Sequence, residues 1–241
     1  MATAPLSELA PSGKLRAGIN YGNFLIVQRN PATGELKGIA PDLAAELARR
    51  LGVPVELVPY DYPSKMADAV TTGAWDVAFL GAEPTRAEQI AFTAAYLEIE
   101  AGYLVPAGSA IADIAQVDRP GVRIAVAGRS AYDLFLTRSL AHAELVRADS
   151  IAAAVELFRN RKLDALAGLK PGLMDNAKDF PGARLLEGRF TAVQQAIGTP
   201  RARQASAAYL REFAEDVKSS GFVASLIEKH GIRGVNVAPP A

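Results

Sequence analysis

The stretch that decides the fold is residues 38–58, Gly-Ile-Ala-Pro-Asp-Leu-Ala-Ala-Glu-Leu-Ala-Arg-Arg-Leu-Gly-Val-Pro-Val-Glu-Leu-Val. Leu43, Leu47 and Leu51 recur every four residues, which is the spacing of one apolar helix face. Pro41 suits the first turn of that helix, and a glycine and a proline follow its last leucine. The β-branched, alternating residues 53–58 then predict a strand, so the stretch reads as a helix leading directly into a strand.

The same pattern extends in both directions along the chain. In the first half, we expect strands at 14–19 and 76–80, a turn-rich loop at 30–34 and a further helix at 63–72. The second half repeats the alternation, with predicted strands at 122–127, 144–146 and 165–167 and helices at 131–140 and from 151 onward. Alternating strands and helices are typical of a parallel sheet with helices on its faces, so we predict an α/β fold.

Two extended segments separate these halves and predict two lobes. Residues 101–106 follow the first half, residues 192–198 follow the second, and apolar helices end the chain. We expect lobe 1 to comprise residues 1–104 and 198–241 and lobe 2 to comprise 105–197, joined by a two-strand hinge. Ligands of such α/β proteins bind at the carboxyl ends of the strands, and a hinge of this kind permits closure around them.

Composition and charge exclude several function classes. Lys plus Arg and Asp plus Glu both number 26 among 241 residues. The chain therefore lacks the basic excess that is typical of nucleic-acid-binding proteins. The chain has no cysteine, which excludes disulfides and thiolate chemistry. Its two histidines, His142 and His230, lack metal-ligand spacing and are interpreted as surface residues. We expect no metal, no cofactor and no catalytic residue.

The N-terminus bears on the compartment. Met1-Ala2-Thr3-Ala4-Pro5-Leu6-Ser7-Glu8 lacks the basic region and following apolar region of a signal peptide. We interpret the protein as periplasmic, with its leader absent from this sequence; a cytoplasmic location is the alternative.

Four motifs, in this order and spacing, carry a resemblance. They are residues 38–44 (Gly-Ile-Ala-Pro-Asp-Leu-Ala), 72–78 (Thr-Gly-Ala-Trp-Asp-Val-Ala), 86–96 (Arg-Ala-Glu-Gln-Ile-Ala-Phe-Thr-Ala-Ala-Tyr) and 126–131 (Val-Ala-Gly-Arg-Ser-Ala). The chain is similar over nearly its whole length to the family 3 solute-binding proteins of ABC importers, which are best known for polar amino acids and have the type II periplasmic binding protein fold. The resemblance implies a small-molecule ligand, a permease and an ATPase as partners, and a monomer.

The resemblance also implies binding residues. Arg86, six residues before Phe92, stands where the family binds the ligand carboxylate, and a guanidinium fork fits two carboxylate oxygens. The alternative is a surface arginine paired with Glu83 or Glu88. The further candidates lie after the predicted strands: Asn20, Tyr21 and Asn23; Tyr62; Gly81 and Glu83; Arg129, Ser130 and Ala131. For Ser130, helix capping and ligand contact are compatible roles, whereas Arg129 is either a second carboxylate clamp or a solvated loop residue.

One departure from the family pattern concerns the ligand. Amino-acid receptors of the family carry an acid five residues after the Asp of an Asp-Ala-Val strand, where it holds the ligand ammonium. Here that strand begins at Asp164, and the fifth position is Leu169, followed by Lys170. A buried ammonium without a counter-charge costs several kcal/mol. We therefore expect an organic acid or an amino-acid derivative without a free ammonium; Lys170 either binds a second anionic group or faces solvent.

Two other function classes stay open. Cyclohexadienyl dehydratases resemble the same fold, with Glu83 as the candidate acid, although no paired catalytic carboxylates stand out. A ligand-sensing module detached from a receptor would share the fold as well. An amino-acid receptor with a different ammonium site, held by Glu83 or another acid, is a third alternative.

Overall fold

The computed structural model describes residues 5–241. Its strands are β1 (Leu15–Asn20), β2 (Gln28–Arg29), β3 (Leu36–Lys37), β4 (Val55–Tyr60), β5 (Val77–Gly81), β6 (Ile90–Phe92), β7 (Leu97–Val105), β8 (Arg123–Ala127), β9 (Glu144–Ala148), β10 (Ala165–Leu169), β11 (Arg184–Leu185), β12 (Thr191–Pro200) and β13 (Val235–Val237). Its helices are α1 (Leu6–Leu9), α2 (Ile39–Leu51), α3 (Pro63–Asp68), α4 (Pro84–Ala87), α5 (Ala131–Ser139), α6 (Ile151–Asn160), α7 (Lys170–Ala177), α8 (Gln204–Ser219) and α9 (Phe222–Lys229). Within this range, no helix combines the length and apolarity that crossing a bilayer requires.

The chain divides into two compact units. Unit 1 contains the described residues up to Glu98 together with Gln194–Ala241, and unit 2 contains Ile99–Val193. The expected boundaries, after residues 104 and 197, fall within or near the ends of β7 and β12, whereas the units divide at 98/99 and 193/194. The chain therefore passes between the units twice, each time inside a strand.

Unit 1 is built on a parallel sheet. β1 lies between β4 and β5, with Leu15 opposite Val55 and Ala17 opposite Val77. β12 adds to β5 in the antiparallel direction, and β6 adds to β12. The strand that comes first in the chain is thus central, and its carboxyl end lies beside those of both parallel neighbours.

Helix α2 shows why the opening stretch folds as predicted. Leu43, Leu47 and Leu51 are all buried, so the four-residue spacing does form one core-facing stripe. The helix ends at Gly52, whose positive φ of 70° is a left-handed cap that favours glycine. Two bounds differ from prediction: the helix begins at Ile39 rather than at Pro41, and the next strand begins at Val55 because Val53 still bonds the helix end.

Unit 2 repeats the strand order of unit 1. β8 is central and parallel to both β9 and β10, and β7 pairs with β10 in the antiparallel direction. Helices α5 and α6 are capped by Ser130 and Ser150, whose side-chain oxygens accept from the N–H groups of Asp133 and Ala153. A hydroxyl in this position satisfies a helix N–H that has no partner inside the helix.

An aspartate before the third strand of each unit ties that strand to the first. In unit 2, Asp164 accepts from the N–H of Arg123 at 2.8 Å, and in unit 1, Asp76 accepts from the N–H of Arg16 at 3.1 Å. Only Asp76 is fully buried, and there the guanidiniums of Arg16 and Arg203 both reach its Oδ1 at 2.8 Å. The motif read as Trp-Asp-Val therefore contains a buried ion-paired carboxylate at the amino end of the sheet, away from the strand carboxyl ends.

In unit 1, one sequence interpretation is confirmed and one is wrong. The predicted loop around residues 30–34 is the turn of a short hairpin, in which Gln28 pairs with Lys37. His230 is not a surface residue: its side chain is 12% exposed, and its Nε2 lies 2.8 Å from Asp42 Oδ2. The pairing joins α9 to α2 and was invisible in the sequence because the two residues lie 188 positions apart.

Replacing Tyr96 with phenylalanine is expected to stabilise the protein. The Tyr96 hydroxyl is buried and has no hydrogen-bond partner among residues 5–241, and burial raises its pKa. An unsatisfied buried polar group costs on the order of 1–3 kcal/mol, whereas phenylalanine keeps the edge-to-face contact with Phe79. We expect the free energy of unfolding in urea to rise by about 1 kcal/mol; a fall would show that the hydroxyl is bonded in solution.

Candidate functional site

The site residues predicted for unit 1 follow three neighbouring parallel strands. Ile19 of β1 is opposite Phe79 of β5 and Pro59 of β4, so the segments after these strands emerge at the same sheet edge. Asn20 and Gly81 are the last residues of β1 and β5. The segments that follow hold Tyr21 and Asn23 after β1, Tyr62 after β4, and Glu83 and Arg86 after β5. The carboxyl edge of a parallel sheet is where α/β proteins bind ligands.

The turn after β1 is held by its own amide side chains. Asn20 Oδ1 accepts from the N–H of Gly22 at 3.1 Å, and Asn23 Oδ1 accepts from the N–H of Leu25 at 3.3 Å. Both asparagines are buried. A Cβ at Gly22 would lie 2.4 Å from the carbonyl oxygen of Asp61, so only glycine permits this close approach to the segment after β4. The asparagine oxygens shape the turn.

Aromatic side chains accompany this turn. Phe24 is 44% exposed, which is unusual for a large apolar side chain. Tyr21 is partly exposed, and the guanidinium carbon of Arg29 lies 4.8 Å from its ring centroid. Tyr62, also partly exposed, precedes α3. These rings offer flat apolar surfaces beside the strand ends.

Arg86 is buried at the carboxyl end of β5. The residue belongs to the short helix α4 and is 7% exposed. Arg86 Nη1 donates to the carbonyl oxygen of Gly81 at 2.7 Å, which holds the guanidinium against the strand end. Glu83, the residue before α4, is buried as well. The interpretation of Arg86 as an exposed surface arginine is therefore wrong.

The second set of candidates lies in unit 2, at the carboxyl end of β8. Arg129 is exposed and has a left-handed backbone with φ of 57°, a conformation uncommon outside glycine. Ser130 is the cap of α5, and Ala131 begins the helix. The N–H of Arg129 donates to Asp133 Oδ2 at 2.6 Å. The loop is thus bonded to the first turn of its own helix.

The end of β10 carries Leu169 and Lys170. Leu169 packs against the core of unit 2, and its pairing with Ala101 places Lys170 opposite Glu100 of β7. Lys170 Nζ lies 2.8 Å from Glu100 Oε2, which also lowers the pKa of Glu100. Neither alternative proposed for Lys170 foresaw this partner, because Glu100 lies 70 residues earlier.

Sequence reasoning missed three charged residues beside these candidates: Asp133, Arg147 and Glu100. Asp133 had a local signal, since Ser-x-x-Asp at 130–133 has the spacing of a reciprocal helix cap. Arg147 and Glu100 had none: Glu100 meets Lys170 through the pairing of β7 with β10, and Arg147 of β9 meets Asp133 of α5 only in the folded unit. Within residues 5–241, no cluster of three or more His, Asp or Glu side chains is arranged to hold a metal ion.

Two α/β units with the strand order described, connected through two strands, define the type II periplasmic binding protein fold. The chain belongs to the family of bacterial extracellular solute-binding proteins, family 3, whose sequence model matches residues 17–232. Membership implies ligand binding and association with components of an ABC transporter. No curated protein sequence shows significant similarity to the chain.

Solved structures show the same fold at low sequence identity. An ancestral amino-acid-binding protein, described as a precursor of cyclohexadienyl dehydratase, is 23% identical with a TM-score of 0.75, covering 94% of this chain and 99% of that one. A putative ABC transporter binding component from Wolinella succinogenes, complexed with lysine, is 20% identical with a TM-score of 0.76, covering 90% and 95%. The cysteine-binding protein of Campylobacter jejuni is 16% identical with a TM-score of 0.76, covering 93% and 91%.

Proposed function

We propose that this chain is the substrate-binding component of an ABC importer and binds a small carboxylate-bearing solute, an organic acid or an amino-acid derivative. The observation that supports this most is the burial of Arg86 at the carboxyl end of β5. A buried guanidinium keeps its charge at any physiological pH, and its planar fork suits a carboxylate. Arg86 binds the carboxylate at the carboxyl end of β5.

The second part of the proposal is that the solute has no free ammonium group. The end of β10 presents Leu169 where the family's amino-acid receptors carry an acid, and the nearby Glu100 is already paired with Lys170 and Arg189. An ammonium placed there would lose its hydration without gaining a carboxylate partner, which costs several kcal/mol. The same pairing neutralises Lys170, so the site gains less attraction for a second anion than Lys170 alone would supply.

Glu83 supports the main alternatives. It is a buried acid three residues before Arg86, and it could hold an ammonium in a non-standard amino-acid site. It could also act as the acid of a cyclohexadienyl dehydratase-like enzyme, in line with the name of one structural neighbour. Product formation from prephenate or arogenate, and its loss in Glu83→Gln, would favour the enzyme.

The remaining parts of the proposal concern location and partners. The family is described as extracellular, which supports export to the periplasm. The expectation about a leader rests on residues 1–8, and the first four of these lie outside the described residues. A permease and an ATPase would be the partners, with the receptor acting as a monomer.

A thermal-shift screen tests the ligand class. The panel comprises pyruvate, phenylpyruvate, benzoate, succinate and N-acetyl-L-glutamine against L-glutamine, L-lysine and L-arginine. A ligand at a hundredfold excess over its Kd stabilises the folded state by about 2.7 kcal/mol, which raises the Tm of a chain of this size by roughly 5–11 °C. We expect such a rise with at least one member of the first group and none with the amino acids.

The control for this screen is Leu169→Asp, which restores an acid at the end of β10. In this variant, the L-amino acids are expected to raise the Tm, while the response to the carboxylates without ammonium falls. Tight binding of L-amino acids by the natural chain, measured by calorimetry, would overturn the second part of the proposal and leave the receptor role intact.

A further inference from the structure

A carboxylate is buried under the first turn of α5. Asp133 has almost no exposed surface, yet it lies three residues after the helix cap Ser130. Its Oδ1 and Oδ2 lie 3.0 and 3.2 Å from Nε of Arg147, and its Oδ2 accepts from the N–H of Arg129 at 2.6 Å. A buried charge persists only when it is paired and hydrogen-bonded, and Asp133 meets both conditions.

The bond to Arg129 constrains an unfavourable backbone conformation. Arg129 has φ of 57°, and the left-handed region is unfavourable for a residue that carries a side chain. A charge-assisted hydrogen bond from its N–H to Asp133 offsets this cost. Arg147 also donates to Thr137 Oγ1 at 2.8 Å, so the guanidinium is itself oriented by the helix.

The arrangement determines which donors of the loop remain for a ligand. The N–H groups of residues 128–130 are all bonded within unit 2: Gly128 to the oxygen of Ala148, Arg129 to Asp133 and Ser130 to the oxygen of Ala127. The Ser130 oxygen accepts from the N–H of Asp133, which directs its hydroxyl hydrogen elsewhere. Among residues 5–241, the N–H of Ala131 has no hydrogen-bond partner. Of the loop's backbone N–H and hydroxyl groups, the Ser130 hydroxyl and this N–H are the donors left for a ligand.

We propose that Asp133, oriented by Arg147, is a positioning residue that holds loop 128–130 in its binding conformation before a ligand arrives. It acts through the N–H of Arg129 and does not touch the ligand. The inference rests on the proposed function, because it takes the Ser130 hydroxyl and the Ala131 N–H as ligand contacts. Holding these donors in place in advance removes an ordering cost from binding.

The test compares Asp133→Asn with the natural chain, using as probe whichever of pyruvate, phenylpyruvate, benzoate, succinate and N-acetyl-L-glutamine raises its Tm. The neutral amide keeps the shape and removes the charge. We expect affinity by calorimetry to fall about tenfold and amide hydrogen exchange at Arg129 to quicken. In the Arg129→Gly background, where glycine adopts the left-handed conformation freely, Asp133→Asn is expected to reduce affinity less than threefold.

Asp118→Asn is the matched control. Asp118 is another carboxylate of unit 2 that accepts from backbone groups, the N–H groups of residues 141–143 at 2.7–2.9 Å. This variant is expected to lower Tm while leaving probe affinity and Arg129 exchange unchanged. An Asp133→Asn protein with natural affinity, or an equal loss in the Arg129→Gly background, would overturn the inference.

The amide exchange separates this inference from the proposed function. If no carboxylate of the panel binds the natural chain, the proposed function fails, and the exchange rate at Arg129 still decides whether Asp133 holds the loop. Faster exchange in Asp133→Asn but not in Asp118→Asn supports the positioning role. Unchanged exchange contradicts it whether or not any probe binds.

Discussion

Replacing Arg86 with alanine is expected to weaken binding of the carboxylate found in the panel at least about 100-fold. Each hydrogen bond to a charged group contributes about 1.5–3 kcal/mol, and the guanidinium fork makes two with a carboxylate. Their loss amounts to about 3–6 kcal/mol, at 1.4 kcal/mol for each factor of ten. Isothermal titration calorimetry of the natural chain and of Arg86→Ala measures the difference directly.

Two further variants serve as comparisons for Arg86→Ala. Arg49→Ala removes an arginine whose side chain is 72% exposed on α2, where it pairs with Glu46, and it should leave affinity unchanged. Arg86→Lys keeps the positive charge without the fork. Its affinity for the carboxylate should lie between that of the natural chain and that of Arg86→Ala. Natural affinity in an Arg86→Ala protein that is folded by circular dichroism would remove the central element of the proposed function.

Replacing Asp76 with alanine is expected to produce the largest loss of stability. Its fully buried carboxylate holds the guanidiniums of Arg16 and Arg203 and accepts from the N–H of Arg16. Removing one partner of a buried ion pair costs about 3–5 kcal/mol, because the other charges lose their compensation. Urea unfolding should show this loss, and Tm should fall on the order of 10 °C.

Asp76 also predicts a pH dependence. Burial alone would raise its pKa, but hydrogen bonds from Arg16 and Arg203 outweigh burial and hold the pKa below the ordinary value of 3.8. A carboxyl with a lowered folded-state pKa stabilises the fold fully above its unfolded pKa. That contribution disappears as pH falls through the folded-state pKa. The free energy of unfolding should therefore decrease as the pH is lowered from about 4, and this decrease should be smaller in Asp76→Ala.

Asp164→Ala is the matched control for Asp76. It removes the equivalent aspartate of unit 2, which also bonds the N–H of the first strand's arginine, Arg123. The Asp164 side chain is 41% exposed, and the Arg123 guanidinium is 3.8 Å away. Exposed pairs of this kind contribute about 0–1 kcal/mol, so Asp164→Ala should unfold close to the natural chain. Equal losses in both variants would contradict the role given to burial.

Much of the fold could be predicted because its signals are local. The four-residue leucine spacing of α2 and the short apolar run of β5 report which face of each element is buried, and both elements lie within two residues of their predicted positions. The boundary errors have local causes as well: Val53 remains part of the helix cap, and Asp76 turns its side chain back to Arg16 instead of entering β5. The hairpin of β2 and β3 was missed because two-residue strands carry no periodicity.

The candidate site could be predicted only as a set of residues, and their roles as binding residues stay a prediction. Motif position selected Arg86, but its burial and its bond to Gly81 come from the fold. Motif position also showed that Leu169 stands where the family pattern has an acid. The sequence left the role of Lys170 open between two alternatives. Strand register supplied the partner, because β10 and β7 run antiparallel with Leu169 opposite Ala101.

The sequence by itself determined the α/β class, the order of elements in the two units and the family, because apolar periodicity and motif spacing are properties of neighbouring residues. Tertiary structure alone decided which charges of different elements meet. Asp76 bonds Arg203 across 127 positions and Lys170 bonds Glu100 across 70, whereas Arg147 reaches Asp133 across only 14. A charge has no periodic pattern that announces its partner, and its pairing is settled only when packed strands and helices bring distant segments within hydrogen-bond distance.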